Sequence, residues 1–175
     1  MRLVWCGTRT GDCAVMRNFL EHNRLMSDEN VVTELTDEEC FNFLSTVALG
    51  RVVVHSGDDV DIYPVNYVVD RGEGSHPRSV LFRTAEGSKL VSLTVNNQVL
   101  FEVDSFDESD ATSVVIRGTA HRLTSSAEIN EADTLDLKPW LPTLKYNYVR
   151  IVPDSVSGRY FKLGDEPDRY MSTVY

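Results

Sequence analysis

Between residues 51 and 162 the chain is a succession of short β-prone segments joined by turns, and this pattern constrains the fold most strongly. Val, Ile and aromatic residues dominate the segments, and Gly, Asp, Ser and Pro dominate the connections, as is typical of strands and tight turns. Because no regular helices separate successive strands, the pattern predicts a closed or nearly closed antiparallel barrel rather than a doubly wound parallel sheet. The predicted strands are 51–55, 60–69, 80–84, 98–103, 113–122, 146–152 and 157–162.

Two capping boxes place small helices at the margins of this barrel. Thr36 is followed three residues later by Glu39, and Ser125 by Glu128, so each pair can satisfy the first amide groups of a helix. Apolar residues recur at helical spacing behind the first box, and Gly50 offers a stop. We therefore predict helices from about 37 to 48 and from 125 to about 135.

Composition narrows the class of protein. With 175 residues, 42% of them hydrophobic and 25% charged, the chain has the size and balance of one globular domain. Its net charge of −10 argues against a nucleic-acid partner, and no apolar run is long enough for a membrane span. Three cysteines without a C-x-x-C spacing favour reduced thiols over zinc or disulfides, and so a cytoplasmic protein. We expect a leader over 1–30, mobile or lying upstream of the true start, a domain over 31–165 and a loose tail over 166–175.

A candidate anion-binding turn lies between a predicted strand and a short helix from about 88 to 95. The strand ends at Thr84, Gly87 permits the turn, and Ser88 and Lys89 follow at the helix start. Unpaired amide groups at such a start favour a phosphate, and the hydroxyl and ammonium groups add to that preference. The alternative is an ordinary loop-to-helix junction in which Ser88 caps the helix and Lys89 is solvated.

Pro64 interrupts the second predicted strand. Proline cannot donate a ladder hydrogen bond, so this strand must be bulged, lie at an edge, or be open where something else approaches its backbone. No G-x-G-x-x-G and no Walker motif is present, which removes the two commonest nucleotide-binding folds.

Several segments together resemble the pyridoxamine 5′-phosphate oxidase-like group of flavin-binding split β-barrels, and most closely its actinobacterial-type flavin- or deazaflavin-binding branch. The resemblance covers roughly residues 34 to 162, and the Arg-Thr-Ala-x-Gly-Ser-Lys-Leu run is its most specific part. Its other parts are Gly50-Arg51, Ile62-Tyr63-Pro64-Val65-Asn66-Tyr67, Phe101-Glu102-Val103-Asp104, Ser113-Val114-Val115-Ile116-Arg117-Gly118, Trp140, Val149-Arg150-Ile151 and Gly158-Arg159.

The resemblance implies a mainly β protein with small helices, an FMN-binding split barrel of six to seven antiparallel strands. It further implies a homodimer with one FMN in each of two clefts between subunits. Thr84, Ser88 and Lys89 would hold the flavin phosphate, and Arg83 would lie by the phosphate or the ribityl chain. The strand matching Pro64, Val65, Asn66 and Tyr67 would run beside the isoalloxazine ring, and no metal is implied.

One departure bears on the substrate. The true oxidases carry Arg and Lys on the ring-side strand and a basic R-x-H element near the C-terminus. Here the ring-side strand has Pro64, Asn66 and Tyr67, and the late segment reads Gly158-Arg159-Tyr160. The sequence therefore does not predict a pyridoxamine phosphate oxidase in the strict sense.

Other polar and aromatic residues have structural interpretations that compete with functional ones. Glu102 and Asp104 share one face of a strand and could act as an acid–base pair, but a solvated face or pairing with Arg117 is the commoner arrangement. His55 and His121 each end a strand and are expected at the surface, with haem ligation as the alternative. Trp140, between two prolines, is expected to cover a barrel edge or a dimer seam rather than to act as a stacking platform.

The sequence thus predicts an FMN-dependent oxidoreductase that passes hydride or electrons between NAD(P)H or another reductant and a small-molecule acceptor. No residue stands out as an obligatory acid or base, because the cofactor would carry the reaction. The alternative is a module of the same fold that binds or carries flavin, deazaflavin or haem without turnover. A barrel without a cofactor is the third possibility.

Overall fold

A computed structural model of the chain describes residues 31–72, 77–85, 87, 96–138, 140 and 145–165. These residues form seven strands and two helices in a mainly β arrangement. The strands are β1 (Val32–Leu35), β2 (Leu49–Ser56), β3 (Asp59–Asp70), β4 (Ser79–Thr84), β5 (Gln98–Phe106), β6 (Asp110–Arg122) and β7 (Asn147–Lys162). The helices are α1 (Asp37–Leu44) and α2 (Ser126–Thr134).

Strands β2 to β7 close into an antiparallel ring. The order of hydrogen-bonded neighbours is β7-β4-β3-β2-β5-β6, and β6 pairs with β7 to complete the circle. On its other side β7 serves two partners, since residues 147–151 pair with β4 and residues 158–161 pair with β1. This arrangement confirms the predicted antiparallel split barrel.

The strands alternate between an apolar interior and a more polar exterior. Side chains of β2 to β7 fill the ring, and α1 closes one end with its buried face. Burial raises the pKa of the Cys40 thiol on this helix to about 11, so the thiol stays neutral and packs as a small hydrophobe. The largest fully buried side chains include Tyr160, Phe82, Phe101, Leu44 and Leu81.

Both helices begin at the predicted caps. The Glu39 amide donates to the Thr36 hydroxyl at 3.4 Å, and the Thr36 amide donates to the Glu39 carboxylate at 2.8 Å, which completes a capping box. The Glu128 amide likewise donates to the Ser125 hydroxyl at 3.2 Å. Local sequence therefore fixes both helix starts.

The predicted end of α1 near residue 48 is wrong. The helix ends at residue 44 because the hydroxyls of Ser45 and Thr46 donate to carbonyls of the last turn, at 2.8 and 2.7 Å. Gly50 is not a helix stop but a buried residue of β2. A Cβ on Gly50 would lie 2.4 Å from Phe101 Cζ, so glycine is needed there for packing.

Two strand boundaries also differ from the predictions. Residues 146–162 were expected to form two strands separated by Pro153, but β7 is continuous. Pro153 pairs with Gly118 at a register shift in the β6–β7 ladder, and a bulge is a position where a strand tolerates proline. The connection between the predicted strands 98–103 and 113–122 shortens to residues 107–109, because β5 and β6 form a longer hairpin whose turn is closed by the Asp107 carboxylate.

Helix α2 covers part of the outer barrel wall and creates a second apolar cluster. Its buried members are Leu81, Leu123, Ala132, Leu137 and Tyr148. The Tyr148 hydroxyl donates to Asp133 of α2 at 2.5 Å, and burial is the main cause that raises the pKa of Tyr148. This contact fixes the start of the segment that follows α2.

A buried ion pair lies in the same wall. Arg150 Nη2 of β7 donates to Asp70 Oδ2 of β3 at 3.1 Å, and only 5% and 8% of the two side chains are exposed. The Gly72 amide donates to the other Asp70 oxygen at 3.0 Å. Among the described residues, Arg150 Nε and the Ser79 hydroxyl have no hydrogen-bond partner.

Replacing Gly158 with alanine is expected to destabilise the barrel by about 1–3 kcal/mol, because the new methyl group would overpack the core. Its Cβ would lie 2.6 Å from Cys40 Sγ and 3.1 Å from Leu35 Cδ1 and Val114 Cγ2. Adding Cys40→Ala removes the closest atom and should recover part of the loss. Urea unfolding of the two single variants and the double variant measures this, and additive losses would contradict it.

Three predicted segments lie outside the described residues: the leader (1–30), the short helix after the anion-binding turn (88–95) and the tail (166–175). The strand end that precedes this turn is described. The strand β1 was not predicted, and it is only four residues long. In the part of the chain that the structure describes, no helix combines the length and the hydrophobicity of a transmembrane segment.

Candidate functional site

The barrel opens where β3 changes partner. Residues 59–66 of β3 pair with β2, whereas residues 67–70 pair with β4, so the β4-side edge of 59–66 has no strand against it among the described residues. The Tyr67 amide donates to the Ala48 carbonyl on the β2 side. By strand alternation the amide and carbonyl groups of even-numbered residues, Pro64 and Asn66 among them, face the open edge.

This geometry explains Pro64. It pairs in register with Arg51, and its nitrogen faces the open edge, so no ladder hydrogen bond is lost. Of the three alternatives given for Pro64, a bulge, an edge or a local opening, the described residues show the edge position. The open edge offers the Pro64 carbonyl as acceptor and the Asn66 amide as donor, which suits a flat heterocycle with donor and acceptor atoms on its rim.

The four predicted ring-side residues divide between two faces of β3. Val65 and Tyr67 are buried in the barrel, where the Tyr67 hydroxyl donates to the Leu44 carbonyl at 2.7 Å. Burial raises the pKa of Tyr67 above its ordinary value, so the phenol stays protonated. By the same alternation their main-chain groups face β2, so these two residues support the open edge from inside the barrel. The side chains of Pro64 and Asn66 lie on the outer face.

The end of β4 carries two further predicted site residues, on opposite faces of the strand. Arg83 Nε donates to the Lys145 carbonyl at 2.8 Å, and its guanidinium lies 4.9 Å from the Tyr148 ring centre. The Thr84 hydroxyl is almost fully buried and donates to the Ala85 carbonyl at 3.1 Å. The other residues of the predicted anion-binding turn are Ser88 and Lys89, which lie outside the described residues.

Thr84 lies close to the open edge along the sheet. The last β3–β4 pair is Tyr67 with Phe82, and β4 continues for two more residues while β3 turns away from it. An anion held just beyond Thr84 would thus lie on one side of the gap between β3 and β4. A ring along residues 64–66 would lie on the other side. The described residues are compatible with a ligand that has an anionic tail and a flat head.

A cleft of about 390 Å³ adjoins the open edge. Its walls are the loop between α1 and β2, residues 66–69 of β3, and the segment after α2, where Trp140 is 58% exposed. Asn66 Nδ2 donates to the Lys138 carbonyl at 3.0 Å and ties this segment to β3. Trp140 lines this cleft in the structure, and the expectation that it covers a barrel edge or a dimer seam stays a prediction.

Sequence reasoning did not find this cleft. Residues 135–138 have no periodicity, and the helical pattern extends over the loop 45–48. The one sequence signal of a cleft is a tryptophan flanked by prolines, and burial is the more common role for such a residue.

The carboxylates of β5 pair with a different arginine than expected. Arg51 Nη1 donates to Glu102 at 3.0 Å and to Asp104 at 2.6 Å, because Arg51 lies directly opposite Glu102 in the β2–β5 register. Arg117 pairs in register with Leu100 instead. Burial raises the pKa of Glu102 and Arg51 opposes that rise, so the three side chains form an ion-paired surface cluster rather than an acid–base pair.

The two strand-end histidines are exposed, as predicted, and lie on different strands. His55 is near the end of β2 and His121 near the end of β6. Within the described ranges, no three His, Cys, Asp or Glu side chains cluster as metal ligands would.

Comparison with known proteins agrees with this architecture. The sequence profile of the family described as pyridoxamine 5′-phosphate oxidase matches residues 36–160, which span the barrel from the cap of α1 to the end of β7. The fold and the matched region together define a split-barrel protein. The chain belongs to the pyridoxamine 5′-phosphate oxidase family.

Relatives from actinobacteria share much of the chain. A crystal structure from Corynebacterium glutamicum, provisionally named as a pyridoxamine 5′-phosphate oxidase, is 51% identical, covers 79% of this chain and 98% of its own, and superposes with a TM-score of 0.70. The FAD binding protein from Mycobacterium smegmatis is 40% identical over 75% of this chain and 99% of its own, with a TM-score of 0.64. The uncharacterized protein Rv3129 of Mycobacterium tuberculosis is 45% identical over 92 residues, 53% of this chain and 84% of its own.

Proposed function

We propose that this protein binds FMN and is a flavin-dependent oxidoreductase of the cytoplasm, passing hydride or electrons between NAD(P)H or another reductant and a small-molecule acceptor. The observation that supports this most is the open edge of β3 beside the end of β4. The similarity to an FAD binding protein at 40% identity supports a flavin as the class of cofactor.

The bound flavin would supply the redox chemistry, and the chain would bind and orient it. In the proposal Thr84, Ser88 and Lys89 hold the phosphate, while Arg83 has its Nε engaged with a carbonyl and can offer only its terminal nitrogens. The main-chain groups of Pro64 and Asn66 meet the ring at the open edge. Val65 and Tyr67 support that edge from inside the barrel.

The outward side chains near the site argue against a phosphorylated amine as substrate. Pro64 and Asn66 are uncharged, and the side chains of Val65 and Tyr67 face the core. A substrate phosphate would find no cation on this part of β3. The proposal therefore excludes pyridoxamine 5′-phosphate and favours a neutral or aromatic acceptor.

We also propose a homodimer that completes the site. Val60 and Ile62, each 61% exposed, lie next to the open edge on the outer face of β3, with Leu49 of β2 on the same outer face. Apolar side chains grouped in this way are typical of a surface that another protein covers. A second copy of the chain would shield them and the flavin ring together.

The decisive experiment adds FMN, FAD and a deazaflavin separately to purified protein. We expect a yellow complex with FMN, a higher melting temperature, and reduction by NAD(P)H followed by reoxidation with an added acceptor. Light scattering on the same sample should give the mass of a dimer. Flavin binding without turnover would instead favour a carrier, and colourless protein with no thermal shift would contradict flavin binding altogether.

A further inference from the structure

We propose that the cleft beside β3 binds a second flat ring, an aromatic carboxamide such as nicotinamide, with Trp140 stacked over it. This inference rests on the proposed function, because the ring would belong to the redox partner of the flavin. It concerns a different edge of β3 from the one assigned to the cofactor.

The cleft has a size suited to a small ligand. Its volume of about 390 Å³ falls in the range of roughly 300–1,000 Å³ that is typical of small-molecule sites. The apolar residues Val47 and Val68 line it together with the loop and Asn66. Such a lining suits a ring with a few polar atoms.

The floor of the cleft offers a paired donor and acceptor. The Tyr67 amide already donates to Ala48 at 3.3 Å, on the β2 side of β3. Because every second residue of a strand faces the same side, the amide and carbonyl of Val69 face this side too. Strand β2 begins at Leu49, which pairs with Asn66, so no β2 residue lies opposite Val69. A carboxamide has one donor and one acceptor that match such an edge.

Trp140 is held where it can cover a ring in the cleft. Leu137 is buried in the cluster beneath α2, and the Lys138 carbonyl accepts a hydrogen bond from Asn66, so the chain is anchored just before Trp140. The indole is nevertheless 58% exposed while it lines the cleft. A large aromatic side chain usually buries more of itself, and a ring stacked on the indole would provide that burial.

The two proposed rings would be neighbours rather than competitors. The open edge assigned to the flavin is the β4 side of residues 59–66, whereas the cleft is on the β2 side of residues 67–69. The two edges meet at Asn66 and Tyr67 and are separated by about one strand width, roughly 5 Å. A ring in the cleft would therefore lie next to the flavin.

Tryptophan fluorescence tests this directly, because Trp5 and Trp140 are the two tryptophans of the chain. In a Trp5→Phe variant the emission reports on Trp140 alone. We expect nicotinamide mononucleotide to quench it saturably, with and without FMN, and ribose 5-phosphate, which lacks the ring, to leave it unchanged. By calorimetry, Trp140→Leu should weaken nicotinamide mononucleotide binding by up to about tenfold, and Trp140→Phe should retain most of it.

The outcomes separate this inference from the proposed function. Bound FMN with unchanged Trp140 emission on adding nicotinamide mononucleotide would overturn the inference and leave the flavin proposal intact. Competition between FMN and nicotinamide mononucleotide would overturn it as well, since the flavin itself would then occupy the cleft. Quenching by nicotinamide mononucleotide in protein that does not bind FMN would support the cleft and contradict the flavin proposal.

Discussion

Replacing Arg150 with methionine is expected to cost about 3–5 kcal/mol of the free energy of unfolding, among the largest effects in this chain. The substitution would remove the guanidinium partner of the Asp70 carboxylate in the wall beneath α2, where only 8% of its side chain is exposed and the Gly72 amide remains a donor to it. Breaking a buried ion pair from one side has a cost of this order, because the remaining charge keeps its desolvation penalty. Urea unfolding followed by circular dichroism measures the change.

A double variant provides the control. In Arg150→Met with Asp70→Asn no buried charge is left unpaired, so the pair of changes should cost clearly less than Arg150→Met alone. Arg51→Met is the matched surface control, since its ion pairs with Glu102 and Asp104 are much more exposed, and it should cost under about 1 kcal/mol. Equal losses for the buried and surface arginines would contradict the analysis.

The double variant Ser88→Ala/Lys89→Ala is expected to weaken FMN affinity at least tenfold while leaving the fold intact. Charge-assisted hydrogen bonds to a phosphate are worth on the order of 1.5–3 kcal/mol. This variant removes an ammonium and a hydroxyl from the predicted anion-binding turn. Quenching of flavin fluorescence on titration gives the dissociation constant. Thermal unfolding without flavin should remain close to that of the parent protein.

Lys162→Ala is the control for charge alone. Lys162 is the exposed last residue of β7. It lies at the opposite end of this strand from the anion-binding turn, because the first residue of β7, Asn147, pairs with Thr84. This variant should bind FMN as the parent does. If both variants bind FMN equally well, the phosphate must be held elsewhere on the protein.

Local signals in the sequence were sufficient for the barrel but not for all of its boundaries. The capping residues Thr36 and Ser125 define their helices by hydrogen bonds within one turn, so sequence alone reveals them. The end of α1 depends on two hydroxyls that close its last turn, and Gly50 is glycine because of Phe101, a residue distant in sequence. The continuity of β7 through Pro153 depends on a bulge that only the pairing with β6 reveals.

The candidate site was predictable where it depends on Pro64, a residue that cannot donate a main-chain hydrogen bond. Pro64 lacks an amide hydrogen, and that limited its strand to a bulge, an edge or a local opening. The cleft, by contrast, forms from three segments that have no common sequence pattern, so no periodicity could indicate it. The partner of Glu102 was missed for a similar reason, since the strand register decides between Arg51 and Arg117.

The orientation of Pro64 has a consequence for the protein before it acquires any ligand. An unprotected strand edge is a template on which another chain can add a strand, and such addition leads to aggregation. The proline nitrogen removes one donor from the middle of that template, and Asp59 and Asp61 place negative charge near its start. The same residue that leaves the edge open therefore discourages the addition of a strand from another chain to it.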